Sequence, residues 1–459
     1  MTDAAVDVLV IGAGACGLAA AIAAHDAGAE VALVEKYDRL QGNTTLSSGS
    51  IPGAGTRFQR AAGVADSAAR FAADLRRTAG PHEAEDVARR LAEVSGELVE
   101  WLVDRAGVPL GLIGTYRHVG HSVHRLHAPP GRRGADLLDG LWHGAQARGI
   151  PVALGNPARA LLTEGAAVTG ALTVNNRGEE ARITARATIL ATNGFGANRA
   201  LLAELCPETT GAAYGGAPGS EGEALVWGRA LGAPLVNAGA FQGHAALADP
   251  HGRLVTWTVI EKGGFIVNAA GRRFGDESLG YSAFAALELQ ETGPFHAVFD
   301  GRIAALVAEG QGEFAELLAD GVALEAPDAP ALAARIGVPA ETLAATLAEV
   351  EAARRGAPDR FGRREWGSAS CAGPLQAIRV QPALFHTQGG LRVDTRARVL
   401  GTDGAPIPGL YAGGGAAAGI SGSAGSAGYV SGNGLLSALG LGYIAGRHAA
   451  GQIGKHAEG

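Results

Sequence analysis

The sequence predicts an α/β protein with an inserted second domain, and three observations carry that prediction. The chain opens on a strand, a glycine turn, a helix and a second strand, in that order. The segments up to about residue 190 and after about residue 375 read as strands and turns, whereas the stretch between about 240 and 367 carries charged helices. Of the 459 residues 47% are hydrophobic, which is enough for two cores or three.

The opening stretch organises the rest. Residues 8–11 form an apolar run of strand length, and Gly12, Gly14 and Gly17 follow in G-x-G-x-x-G spacing. Residues 18–27 read as a helix of small apolar side chains, stopped by Gly28. Residues 31–34 form the second strand, and Glu35 stands at its end. Gly12 permits the tight turn, Gly14 lets backbone approach a pyrophosphate at the helix N-terminus, and Gly17 lets helix and strand pack closely. Glu35 lies about 20 residues on, where a carboxylate holds a ribose hydroxyl. The spacing alone is weak in a chain with 71 glycines, and the signal comes from all the parts occurring in order. It predicts a dinucleotide-binding domain.

Composition narrows the partners. The net charge of −7 without a dense basic run argues against nucleic acid. Cys16, Cys206 and Cys371 are scattered, odd in number and outside metal spacing, as expected in a reducing compartment without a disulfide frame. There is no basic signal-peptide region and no apolar run of the roughly 18 residues that a membrane span needs. A soluble, cytoplasmic protein is expected.

Along the chain, residues 41–67 hold a dense row of hydroxyls and amides that suits a phosphate- and flavin-contacting loop. Residues 69–103 are helical in pattern. His118, His121, His124 and His127 repeat every three residues, but no carboxylate or cysteine completes a shell and a three-residue step drifts around a helix. No metal is expected. Residues 151–190 alternate apolar runs with turns and end in a strand running into Gly194. An inserted domain is expected over 240–367, with helices near 314–320 and 341–354. The nucleotide domain then resumes over 368–459 and closes on a helix spanning 434–448.

These motifs, joined, resemble one family. The N-terminal dinucleotide stretch, QGNTTLSSGS at 41–50, ATNGFGAN at 191–198 and the closing GLYAGGGAAAG and GYVSGNGLLSALGLGYIAG resemble the FAD flavoproteins of the fumarate reductase, succinate dehydrogenase and 3-ketosteroid Δ1-dehydrogenase type. The resemblance covers nearly the whole chain in family order. It implies a Rossmann-like FAD domain over 1–239 and 368–459, split in sequence by an α+β capping domain, with the active site at their junction over the flavin. The implied cofactor contacts are Gly12, Gly14, Ala15, Cys16, Gly17, Glu35 and Lys36, then Gly42, Asn43, Thr44, Ser48 and Gly49. Ala191, Thr192, Asn193, Gly194, Asn198 and Glu221 follow, and lastly Gly390, Gly414, Gly432, Asn433, Leu435 and Leu436. Asn43-Thr44 stands where succinate dehydrogenases carry the linking histidine, so FAD is expected to be non-covalent.

Local resemblances name the reacting residues. Gln242-Gly243-His244 is similar to the Q-x-H-P-T segment of fumarate reductases without its Pro and Thr, and His386-Thr387-Gln388-Gly389-Gly390 is similar to their H-T-x-G-G segment. Both histidines would face substrate. Gly264–Asn268 and the following Gly271-Arg272-Arg273-Phe274 resemble the family's I-x-V-N…G-x-R-F run. Two family arginines are missing. Tyr429 stands where one clamps a substrate carboxylate, and Ala304 where another donates a proton, with Arg302 nearby but out of register. In the ketosteroid branch tyrosines are expected instead, one four residues after the glutamate that follows R-F and one before the closing flavin helix. Tyr281 and Tyr429 match both, in a chain with seven tyrosines.

The chemistry so implied is dehydrogenation α,β to the carbonyl of a cyclic ketone. Tyr429 and the backbone N–H of Asn433 would polarise the carbonyl, Tyr281 would remove the α-proton, and the β-hydride would pass to flavin N5. A free tyrosine titrates near pH 10, so the site must favour the phenolate. His244 and His386 suggest a substrate with a further polar or carboxylate end, such as an oxo-cycloalkane carboxylate. Two alternatives stay open. One is a flavin reductase of an unsaturated carboxylate or enone, the other a flavin-bound protein without small-molecule redox chemistry. The electron acceptor and the oligomeric state are not legible.

Overall fold

A computed structural model describes residues 3–115, 117–367 and 374–457, so Cys371 lies outside the described residues. The chain forms two compact units. The first holds residues 1–207, 216–241 and 386–459, and the second holds 208–215 and 242–385.

In the first unit, β1 (Ala4–Ile11) ends in four buried residues, as a parallel strand covered on both faces requires. Helix α1 (Ala15–Asp26) buries Ala15 through Ala24 without interruption, because small side chains let it be packed all round. β2 (Val31–Val34) pairs parallel with β1 from Val8↔Val31 to Ile11↔Val34. The stretch expected to be helical over 69–103 is two helices, Ala68–Ala79 and α2 (Glu85–Asp104). Gly80 turns the chain at φ +66°, and Pro81 cannot continue a helix. A meander of Ala158–Glu164 and Ala167–Val174 leads into β3 (Glu180–Leu190), which lies parallel to β1.

The chain crosses into the second unit within β4 (Gly239–Ala248). Helix α3 (Tyr281–Glu288) and β5 (Phe295–Asp300) follow, and β6 (Leu375–Thr387) leads back. The sheet runs Phe265–Val267, β5, β6, β4, with Ala213–Tyr214 and Leu324–Ala326 also on β6. The unit's last boundary therefore falls after Phe385 rather than at 367. The reason is that β6 pairs with β5 from Leu375↔Asp300 to Val380↔Phe295, which ties those residues to this sheet. The pairing of Ala213–Tyr214 with Ala383 and Leu384 draws 208–215 in as well. The helices expected near 314–320 and 341–354 are Gly312–Ala319 and Ala340–Arg354.

A buried ion network sets the start of α3. Glu277 accepts from Arg273 Nε at 2.8 Å and Nη2 at 2.6 Å, and Arg363 Nη1 lies 3.3 Å away. Arg273 also reaches Asp359 at 2.6 Å. Gly280, at φ +93°, then turns the chain so that Tyr281 is the first helical residue. Glu277→Gln removes the charge between two buried guanidiniums. It is expected to destabilise the protein by about 3–5 kcal/mol, read from urea unfolding; a loss within about 0.5 kcal/mol would contradict it.

Back in the first unit, β7 (Pro406–Ala412) pairs parallel with β3, from Leu410↔Thr188 to Ala412↔Leu190. The sheet order is Arg398–Leu400, β7, β3, β1, β2, Val152–Ala153, so one sheet is built from both ends of the chain. Helix α4 (Asn433–Ala457) outruns the expected 434–448. It packs closely on α1, since a Cβ at Gly442 would lie 2.3 Å from the Cys16 carbonyl and one at Gly446 would lie 2.2 Å from that of Ala20. No helix among the described residues is long and apolar enough to cross a membrane.

Candidate active site

The turn between β1 and α1 is built as its spacing requires. Gly12 has φ +106°, and a Cβ there would lie 2.4 Å from the Ala191 carbonyl. A Cβ on Gly17 would lie 1.8 Å from the Gly12 oxygen. Gly14 is different, because its Cβ would meet only Thr44 Oγ1 at 4.0 Å, so the backbone here faces open space at the first turn of α1. Glu35 is buried, accepts the Ala13 N–H at 2.8 Å and the Tyr37 N–H at 3.0 Å, and so braces this turn from the end of β2.

The hydroxyl-rich loop closes on the same turn. Thr44 Oγ1 accepts the Ala15 N–H at 3.3 Å, Asn43 Oδ1 accepts the Ala217 N–H at 2.6 Å, and Ser48 bonds Ser50 at 3.0 Å. Gly42 and Gly49 take φ +148° and +66°. At the end of β3, Ala191 N–H continues the ladder to Ile11, and Asn193, at φ +66°, donates to Ser220. Gly194 leaves room for Thr387, whose Oγ1 would be 2.3 Å from a Cβ. Asn198 caps the helix Arg199–Leu205 and holds the Glu221 carbonyl.

Several buried polar atoms in this unit have no partner among the described residues: Thr192 Oγ1, Gln388 Oε1, Asn433 Oδ1 and Ser437 Oγ. Asn433 and Ser437 are one helical turn apart on α4 and share a face. Buried polar groups are normally satisfied, so these orphans mark where a polar ligand belongs. An open glycine backbone at a helix N-terminus and a braced carboxylate after β2 fit the pyrophosphate and ribose of FAD.

Several residues implied as cofactor contacts have other duties. Lys36 Nζ lies 2.6 Å from Glu223 and 3.1 Å from Glu221, so Lys36 and Glu221 hold each other. Cys16 is packed beneath Gly413, and burial pushes its thiol up to about 12. Leu436 is fully buried in the core of the unit. Gly390 and Gly414 serve close backbone packing, Gly390 against Ala417 and Gly414, at φ +60°, against Cys16 and Ala438, while Leu435 is buried near the start of α4.

The start of α4 gathers two of the polar groups expected to react, Tyr429 and His386. Gly432, at φ +86°, makes the turn into the helix. The Asn433 N–H, expected to join Tyr429 in polarising a carbonyl, is used within that turn, donating to the Val430 carbonyl at 3.0 Å. The next amide bonds Tyr429 itself. Gly434 N–H lies 3.4 Å from the Tyr429 hydroxyl oxygen and donates to it. His386 stands edge-on to Tyr429 at 5.7 Å between ring centres, and only a glycine at 434 admits it, because a Cβ there would lie 2.9 Å from His386 Nε2. Gln388 Nε2 lies 3.2 Å from His386 Nδ1. Burial pushes His386 down to about 4, so the ring is neutral near pH 7.

In the second unit His244 stacks on Tyr281 at 4.8 Å and on Phe385 at 5.3 Å, with Trp257 edge-on at 6.1 Å. His244 Nδ1 accepts the Ala246 N–H at 3.0 Å, which leaves its proton on Nε2. Burial pushes His244 down to about 3. Ala304 is buried in the helix Gly301–Gly310, and Arg302 is engaged with Asp300 at 2.9 Å. Of the four regularly spaced histidines, His127 bonds Thr56 and His121 bonds the Ser431 carbonyl. Among the described residues no group of three or more His, Cys, Asp or Glu is placed to hold a metal ion.

Sequence reasoning missed Gln388, Gly434 and Ser437 as site residues. The spacing of Asn433 and Ser437 by four on a helix was the available signal for the last.

Known proteins share this architecture. An FAD binding domain family model matches residues 7–434. The NADH:fumarate oxidoreductase of Klebsiella pneumoniae is 32% identical over 97% of this chain, which spans 47% of that longer protein. The 4-oxocyclohexanecarboxylate 2-dehydrogenase of Sinomonas cyclohexanicum is 28% identical over 99% of this chain and 94% of its own. The solved 3-ketosteroid-Δ4-(5α)-dehydrogenase of Rhodococcus jostii RHA1 superposes with a TM-score of 0.75 at 25% identity, covering 98% of both chains. The chain belongs to the FAD binding domain family, within the superfamily of fumarate reductases and ketosteroid dehydrogenases, and is an FAD-dependent oxidoreductase.

Proposed function

We propose that this enzyme dehydrogenates a cyclic ketone at the carbons α and β to its carbonyl. The observation that carries the reading is a neutral donor, the Tyr429 hydroxyl, set against the Gly434 amide at the start of α4, where the fumarate reductases resembled carry a carboxylate-clamping arginine. The Gly434 amide holds the phenol oxygen in place, and the helix N-terminus favours negative charge nearby. Such a group stabilises a ketone oxygen that becomes enolate-like. Tyr281 is the residue for α-proton removal, and bound FAD supplies the two-electron acceptor for the β-carbon. His386 and His244, held neutral by burial, offer hydrogen bonds rather than positive charge to the far end of the substrate.

A second reading, reduction of an unsaturated carboxylate, is favoured by sequence identity to proteins named as fumarate reductases. A substrate panel with an artificial acceptor dye separates the two. Cyclic ketones, small oxo-cycloalkanes and their carboxylates included, are expected to turn over, while fumarate with reduced dye stays at background. Fumarate turnover comparable to that of any ketone would sink the dehydrogenase reading.

FAD is expected to be non-covalent, since Asn43 and Thr44 occupy the linking position with their oxygens engaged by backbone amides. Acid precipitation should release the yellow colour to the supernatant; colour held in the pellet would contradict this.

A further inference from the structure

A buried chain of hydrogen bonds runs from two carboxylates to the segment that carries Tyr429. The Arg125 side chain is fully buried. Its Nε and Nη2 donate to Asp66, each at 2.8 Å, and Nη1 donates to Asp74 at 2.8 Å. The same Nη1 lies 3.0 Å from His121 Nδ1. A guanidinium only donates, so Nδ1 is the acceptor and the imidazole proton sits on Nε2. That nitrogen lies 2.8 Å from the Ser431 carbonyl and donates to it.

The surroundings hold this arrangement in place. Burial is the largest influence on the Asp66 and Asp74 carboxyls and would raise them, but Arg125 together with Gln59 on Asp66, and with Ser122 and Arg77 on Asp74, outweighs it and keeps both below the usual carboxylate range. Asp74 also accepts from Ser122 N–H at 2.9 Å and from Ser122 Oγ at 2.7 Å. Phe71 lies beneath, 4.5 Å from the Arg125 guanidinium carbon and 5.8 Å from the His121 ring. Burial, with Arg125 alongside, pushes His121 down to about 4.

Ser431 lies two residues after Tyr429 and two before Asn433. Its N–H donates to the Val119 carbonyl at 3.2 Å, so the turn at 119–121 grips both its backbone groups. The segment is flanked by Gly428 and Gly432, which lend it no stiffness of their own. This grip and the bond from Gly434 both act on the segment that carries the Tyr429 hydroxyl.

We propose that His121 is a positioning residue: by donating from Nε2 to the Ser431 carbonyl, while accepting from Arg125, it locks the 429–433 turn and so places the Tyr429 hydroxyl. The link to catalysis rests on the role given to Tyr429 above, whereas the link to the turn does not. The requirement is chemical. The residue at 121 must accept from a guanidinium on one edge and donate to a carbonyl on the other, which a neutral imidazole or a carboxamide can do and an apolar side chain cannot.

The test compares His121→Leu and His121→Gln in the FAD-loaded, full-length enzyme. His121→Leu is expected to keep FAD and to lose about 10- to 100-fold in kcat for a cyclic ketone, with KM changed by less than about threefold, because the loss is one of placement. Backbone amide exchange over 429–433 should accelerate about 10-fold or more, while α1 and β1 keep wild-type rates. His121→Gln should restore both readouts to within about fivefold, since its carboxamide replaces both bonds. Wild-type exchange at 429–433 in His121→Leu overturns the proposal, whether or not the rate falls. So does loss of protection throughout the unit without rescue by Gln, which would mark an ordinary core residue. If the wild-type enzyme turns over no ketone, the exchange result alone decides, and the functional reading fails separately from this one. Should His121→Leu yield no FAD-loaded protein, wild type still tests the grip. The Ser431 amide must then exchange as slowly as the interior of α4, and exchange at the rate of an exposed turn refutes it.

Discussion

Tyr281→Phe is expected to lower ketone turnover by about 100- to 10,000-fold, the range for loss of a positioned general base, with FAD still bound. Tyr429→Phe is expected to cost about 100- to 1000-fold, the range for loss of one oxyanion donor. Each variant removes only a hydroxyl, so the cavity is negligible and the rings keep their neighbours. The ring at 281 retains its stacking on His244 at 4.8 Å, and the ring at 429 its edge contact with His386 at 5.7 Å. Tyr429→Phe would also leave the Gly434 amide short of its acceptor, costing about 1–3 kcal/mol of stability at most.

The two ranges overlap, so the roles are separated by isotope exchange. In enzyme kept reduced, where oxidation of the ketone cannot proceed, wild type should exchange the ketone α-hydrogen with deuterium from solvent. Tyr281→Phe should abolish that exchange. Tyr429→Phe should slow it without altering the pH at which the base titrates. If Tyr281→Phe exchanges at the wild-type rate, Tyr281 is not the base. His386 and His244 would then be next to test, although burial holds both pKa values down, to about 4 and about 3, which makes each a weak base.

Acid is expected to unfold this protein unusually early. His121, His127, His296 and His386 are each pushed down to about 4, and His244 to about 3, with burial the first cause in every case. A histidine that is neutral when folded binds a proton on unfolding once the pH is below its ordinary value. The stability these groups contribute is therefore complete above about pH 6.5 and is lost as the pH falls toward about 4. Each contributes a slope of about 1.4 kcal/mol per pH unit at its steepest, so five reach about 7 kcal/mol per pH unit. Against a typical net stability of about 5–15 kcal/mol, this places the acid midpoint at about pH 4–6. Asp66 and Asp74, held low against the larger single effect of burial by Arg125 and their other hydrogen-bond donors together, add loss in the same direction at lower pH. Circular dichroism melts between pH 8 and pH 4 check this. A melting temperature that stays flat from pH 7 to pH 4.5 would contradict it.

Much of the fold was legible because its signals are local. The turn at Gly12, Gly14 and Gly17, the strand ending before Glu35, and the helix beginning at Asn433 each follow from a few consecutive residues. The split of the nucleotide domain was legible from the order of its motifs, and the pairing of β7 with β3 bears it out. Element edges were less legible. The break at Gly80 was hidden in an otherwise periodic stretch, and the second compact unit runs to Phe385, past the 367 expected for the inserted domain. Nothing in the sequence of residues 375–385 says which sheet it joins, since strand pairing is chosen by partners far away in the chain.

The sequence by itself determined the dinucleotide turn and the order of the elements, because glycine conformation and helix periodicity act over a few residues, while the family resemblance supplied FAD and proposed the two tyrosines. Tertiary structure alone decided how the polar groups are shared out. It joined Lys36 to Glu221 across 185 positions, tied His121 to Ser431 across 310, and set the Gly434 amide against the Tyr429 hydroxyl. The physical reason is that each N–H, carboxylate and imidazole can satisfy only a few partners. Which ones it takes is settled by the three-dimensional competition among all the groups brought within about 3 Å of it.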